Sequence, residues 1–295
     1  MSSERTPDLT LVLPLRKKES VTIEEFYDYW LNAHVTLPAR FPGISSIWLH
    51  AVSFDNSLFP EIAGVSHQPP AEEAFHGVPE AVFPTMDDLA VFQQHAGVQM
   101  EDGINFLADM LGYASIGSHS ATVVDKLGNP APDGSDDLVR HLVFLRIRDG
   151  IPVPDFRAYV SETLVPSWSR SPHVLKLRRH LFEELDMTLD HPGVTMFKPL
   201  ELQYQAAIEI VVPEQTAMTA FFESPAWTDT IESLAEHCSA VHAARVNRCI
   251  TTKYNGAITL VGVRGVLIAD LIRRLDAKSQ TMDEVSNLFL PAPLG

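Results

Sequence analysis

The chain has 295 residues, 45% hydrophobic and 20% charged, proportions of a folded globular protein rather than a disordered one. With 22 Lys plus Arg against 38 Asp plus Glu, its net charge of -16 would repel nucleic acid and anionic membranes, so neither is an expected partner. Cys238 and Cys249 stand in no zinc-like spacing, and the polar start and the lack of a long apolar segment imply a cytoplasmic protein.

Residues 9–15 are an apolar run suited to a buried strand. Thr22-Ile23-Glu24-Glu25 has the Thr-x-x-Glu spacing of a capping box and opens a helix running to about residue 39. On that helix Ile23, Tyr27, Trp30, His34 and Leu37 recur at helical spacing, which puts them on one stripe facing a sheet. Residues 44–54 and 77–83 read as the second and third strands, Thr85 caps a second helix, and residues 114–124 read as a fourth strand. This β-α-β-β-α-β order is the ferredoxin-like unit. Residues 126–137, rich in turn formers, read as a linker. The order then repeats: strand 138–148, a helix from 153, strands 174–182 and 203–212, a helix from 214 and strand 245–254. Two long loops at matching places, 55–74 and 183–202, are candidate lids. Beyond Asn255-Gly256, residues 258–263 read as an added edge strand and 266–275 as an amphipathic covering helix.

The two halves share more than an order of elements. Residues 21–50 align without gaps on 151–180 at a constant offset of 130, with Phe26 on Phe156, Tyr29 on Tyr159, Pro42 on Pro172 and His50 on His180. A period that long excludes a solenoid and indicates two fused copies of one domain. The fold class is therefore α+β: ferredoxin-like repeats at 1–125 and 138–256 forming an intramolecular dimeric α+β barrel, then an extension at 257–295. Whether this fused pair associates again as a homodimer is open.

The run Phe26-Tyr27-Asp28-Tyr29-Trp30-Leu31-Asn32-Ala33-His34, followed by Phe41-Pro42-Gly43-Ile44, resembles the EthD family, whose first helix carries Phe-x-x-Tyr-Trp, then a His and a Pro-Gly. The run from Arg140 to Arg148 resembles the first strand of stress-responsive α/β-barrel proteins and olivetolic acid cyclase. Both belong to the dimeric α+β barrel group, in which ligands usually bind between a sheet and its own helices. An imidazole there can have its pKa moved by burial and neighbours, as a general acid or base requires. The resemblance implies that His34 shuttles a proton, Tyr27 orients substrate or donates to an oxyanion, and Trp30 forms a wall. It also places His95 at a pocket edge and His141 in the helix-facing pocket of the second repeat. Tyr27, Trp30 and His34 become Arg157, Val160 and Leu164 in the second repeat, which cannot run the same chemistry.

The expected function is cofactor-independent proton transfer on a small apolar carbonyl or phenolic compound, by a lyase, dehydratase, isomerase or cyclase. Its rivals are a cofactor-free monooxygenase, a haem-binding barrel protein and a non-catalytic carrier, and His34 could equally be a satisfied core histidine. Fold alone does not choose among them.

Alternation along 174–182 sets Lys176, Arg178 and His180 opposite Leu175, Leu177 and Leu181, and the same parity puts Trp48 and His50 on one face. Glu80 and Glu209 correspond in the third strands. If the apolar faces meet the helices, these groups project into the barrel as an inter-repeat polar network or a second acid–base site. No metal site is expected. His76 and Glu80 would stand about 13 Å apart along a strand. His237 and His242 read as splayed around a helix, and HExxH, GxSxG, GxGxxG and P-loop patterns are absent.

Overall fold

The computed structural model describes residues 7–55, 58–131, 134–186 and 191–289. The polar start, and parts of the expected linker, of both long loops and of the extension, lie outside the described residues.

In the first repeat the opening strand is split into β1 (Leu9–Val12) and β2 (Leu15–Lys17) at Pro14, which has no N–H to give a ladder. The first helix begins as α1 (Ile23–Tyr29), with the Thr22–Glu25 capping box formed in both directions. It passes through a π-helical turn at Trp30–His34 and ends as α2 (Thr36–Arg40). Strands β3 (Ser46–Ser53) and β4 (Gly77–Phe83) follow, then α3 (Met86–Gly103) behind a second capping box, Thr85 with Asp88. The fourth strand comes in three pieces: β5 (Leu107–Met110), β6 (Tyr113–Ile116) and β7 (Ser120–Asp125).

The second repeat opens with β8 (Ser135–Asp136) and β9 (Val139–Ile147). Its first helix is again α4 (Val153–Ala158), a π-helical turn (Tyr159–Leu164) and α5 (Val165–Ser169). Strands β10 (Lys176–Leu181) and β11 (Ala206–Val212) lead to three short helices, α6 (Gln215–Glu223), α7 (Pro225–Thr228) and α8 (Ile231–His237). The last strand, β12 (Cys238–Tyr254), starts seven residues earlier than the sequence suggests. His242 thus lies on a strand, not on a helix with His237.

Closure of the sheet explains why duplication produced one body. In each repeat the fourth strand lies beside the first, then come the third and the second. The fourth strands are long enough to cross over. β12 pairs with β9 and, beyond Arg245, with β3 of the other repeat, while β6 pairs with β1 and its continuation β7 pairs with β10. The ring has no open seam between repeats, so neither half presents a free edge there.

Three cores result, one against the helices of each repeat and one inside the barrel. The long loops cross over as well. Phe59 and Ile62 of the first loop pack into the helix-side core of the second repeat, and Val194 of the second loop packs into that of the first. The extension departs from its expected form: only β13 (Ala257–Ile258) is strand, and residues 260–264 are helix α9 (Leu260–Arg264) because Thr259 caps it, accepting from Gly262 N–H. It continues as α10 (Val266–Arg274) and α11 (Asp283–Ser286). Val261, Val266 and Ala269 bury against the first repeat, where Gly265, at φ +78 and facing the backbone of Asn32, leaves no room for a side chain. Among the described residues no helix is long and apolar enough to cross a membrane.

Candidate functional site

The π-helical turn settles which side of the first helix is buried. A π turn adds a residue to the local repeat and rotates the residues beyond it, so Phe26, Trp30, Leu31, His34, Val35 and Ala39 are buried while Ile23, Tyr27 and Leu37 are only half-buried. His34 is 5% exposed and meets the edge of Phe106, with ring centroids 5.0 Å apart. Its Nδ1 lies 2.6 Å from Oδ2 of Asp102, in the last turn of α3. A carboxylate only accepts, so Nδ1 carries the proton and the neutral ring keeps its lone pair on Nε2. Oδ1 of Asp102 accepts from the Tyr29 hydroxyl at 2.5 Å. The hydrogen bond from His34 holds the Asp102 carboxyl below its ordinary range against the opposing effect of burial, with Tyr29 helping.

Helix α3 covers this dyad loosely. Gly103 alone among its 18 residues is buried, whereas its counterparts α6 to α8 bury Ala217, Met218, Phe221, Ala226, Trp227 and Leu234. Gln99, one turn before Asp102, has a buried side-chain oxygen without a hydrogen-bond partner. His95 stands exposed on the outer part of α3, stacked on Phe41 at 5.9 Å.

Tyr27 and Trp30 are tied up in structure. The Tyr27 hydroxyl is within donating reach of the carbonyl oxygens of Val52, at 2.9 Å, and His76, at 3.1 Å, and burial pushes its pKa up to about 12. It anchors the helix to the sheet, so the donor role toward an oxyanion does not fit this geometry. Trp30 is 1% exposed and lies flat against Gly77, where a Cβ would come within 2.7 Å of the ring.

The second repeat keeps the π turn but loses the dyad completely. Leu164 fills the place of His34, fully buried, and the hydroxyl of Tyr159, equivalent to Tyr29, meets Ser233 at 3.1 Å where Tyr29 meets Asp102. His141 lies on the helix-facing side of β9, 1% exposed, its ring 6.2 Å from that of Phe59. Neither of its nitrogens has a hydrogen-bond partner among the described residues, and burial, then Arg245, pushes its pKa down to about 4. It borders a cleft of about 430 Å³ shared with Leu58, Gln215 and Arg245.

Inside the barrel the repeats exchange charge. Glu209 takes Lys176 at 2.9 Å and Arg140, and Glu80 takes Arg178, with His180 Nε2 3.8 Å away. Trp48 carries the Lys176 ammonium 5.4 Å and the Arg178 guanidinium 5.1 Å from its ring centre. His50 is buried without partners and its pKa falls to about 4, mainly through burial, while burial and Arg178 hold His180 well below its usual value. A cavity of about 820 Å³ opens over this network, not beside His34. No group of three metal-ligating side chains occurs among the described residues.

Residues 18–109 match the family model described as the EthD domain. This is an EthD-like protein of the dimeric α+β barrel group. No curated protein matches the chain. Among solved structures, this EthD-like chain is similar to a protein named as a monooxygenase from Fusobacterium nucleatum, at TM-score 0.52 and 8% identity, covering 86% of this chain and 98% of that one. It is also similar to an anthrone oxidase-like protein at TM-score 0.51 and 11% identity, covering 85% and 95%. At such identities the likeness establishes the fold.

The match spans the first helix and Asp102, so the dyad lies wholly within the EthD-like segment. Asp102 had no signal of its own in the sequence, being one of several acidic residues on a polar helix. Tyr29 did, through the Phe-x-x-Tyr-Trp motif. Arg140 stands in the opening strand of the second repeat, but its inward direction emerges only from the pairing of β9 with β11.

Proposed function

We propose that this EthD-like protein is an enzyme that transfers protons on a small, largely apolar carbonyl or phenolic compound without a cofactor, as a lyase, dehydratase, isomerase or cyclase. The observation that carries this reading is the His34–Asp102 dyad, whole in one repeat and replaced whole, by Leu164 and Ser233, in the other. A purely architectural pair would have the same use in both copies, because both build the same π turn and the same Tyr contact. Asp102 fixes the Nδ1–H tautomer and stabilises the imidazolium formed when Nε2 accepts a proton. In the simplest step, a C–H bond next to a carbonyl breaks, its electron pair forms an enolate, the proton passes to Nε2, and the same ring returns it at another position. The loose seat of α3 supplies the route by which substrate reaches the ring.

Solvent deuterium uptake into cyclic aryl ketones such as 1-tetralone, followed by NMR, tests this directly. His34→Ala is expected to slow uptake by about 100-fold or more. Undiminished uptake in that variant removes His34 from the mechanism, and oxygen consumption matching product formation, read at an electrode, would favour the monooxygenase reading instead.

A further inference from the structure

We propose that the mouth of the barrel is a second ligand site, which takes a small organic anion with a flat, unsaturated body. The cavity of about 820 Å³ is lined from both repeats, by Ser46 and Trp48 of the first and Arg140, Lys176 and Arg178 of the second. Three of these positions are related by the repeat offset of 130. Thr10 corresponds to Arg140, Ser46 to Lys176 and Trp48 to Arg178. In every pair the second repeat supplies the cation and the first an uncharged residue. A network serving only to join two similar halves has no reason for that division. A binding site does, because short side chains on one side leave the room and cations on the other supply the charge.

The charges are not needed to fill the barrel. Away from this network the interior is packed with rings, Tyr113 on Phe182 at 4.7 Å and Phe144 on Tyr204 at 5.1 Å. At the mouth, two buried carboxylates, Glu80 and Glu209, hold three cations, and the further acid on Arg140, Asp136, is one-third exposed at the rim. Donors remain in reserve: Nε of Arg140 and Nε of Arg178 are buried without partners. In a chain of net charge -16 this is a concentrated cationic face inside a concave site. Trp48 beside Lys176 and Arg178 offers a flat surface next to the charge, the pairing that an aromatic carboxylate satisfies.

Calorimetric titration with 2-naphthoate and with uncharged 2-naphthamide tests the site. One equivalent of naphthoate is expected to bind and the amide to bind at least about tenfold more weakly. Lys176→Met leaves Glu209 its contact with Arg140, so the variant should fold, and it should weaken naphthoate binding about tenfold or more while Lys176→Arg restores it. Trp48→Leu, which touches no ion pair, should weaken binding too and serves if Lys176→Met melts early. His34→Ala should bind as the parent does, which separates this site from the proposed catalytic one. No binding, equal binding of the amide, indifference to both Lys176→Met and Trp48→Leu, or loss through His34→Ala would each overturn the proposal.

Discussion

Replacing His141 by Met should flatten the acid dependence of stability. The ring is buried, lacks hydrogen-bond partners among the described residues, and has its pKa lowered from 6.5 to about 4, by burial first and Arg245 second. A folded pKa below the unfolded one means that the unfolded chain binds a proton the folded protein refuses. The histidine therefore costs nothing above the unfolded pKa, and stability is lost as pH falls from 6.5 toward 4. Between pH 7 and pH 5 this linkage amounts to about 2 kcal/mol from this ring alone. Urea unfolding followed by tryptophan fluorescence at both pH values should show a loss about 2 kcal/mol smaller in His141→Met than in the parent, because His50 and His180 contribute equally to both. An equal loss in parent and variant would mean that His141 titrates normally in the folded protein and that its isolation is wrong.

Gly77→Ala should destabilise by about 1–3 kcal/mol in a thermal melt, because the new methyl would lie 2.7 Å from a buried Trp30 that has nowhere to turn. Tyr27→Phe should cost about 1 kcal/mol, the worth of one hydrogen bond to a carbonyl, and reduce turnover far less than His34→Ala does. A turnover loss as deep as that of His34→Ala would return Tyr27 to the reaction.

Local signals carried most of the architecture. The gapless offset between the repeats revealed the duplication, and both capping boxes, at Thr22 and Thr85, formed where the spacing placed them. What escaped was decided by distant partners. Residues 238–244, Ala-rich and weak in strand formers, became strand because β9 lies alongside and Ser66 of a crossing loop bonds to Ser239 and Val241. Residues 258–263 look like a strand by composition, yet Thr259 caps a helix once it meets the Thr251 carbonyl. The place of His34 on its helix could be read from spacing, but its partner stands 68 residues away on a helix with little apolar face. The crossing of the long loops was likewise invisible, since Phe59 and Val194 carry no mark of the repeat they enter.

Asp102→Asn tests the dyad most directly. An amide in place of the carboxylate can donate to Nδ1, which favours the tautomer with the proton on Nε2 and removes the charge that stabilises the imidazolium. The account predicts that solvent deuterium uptake into the ketone falls about 100-fold or more while the urea unfolding transition stays cooperative. Uptake at the parent rate in a folded Asp102→Asn protein would contradict it.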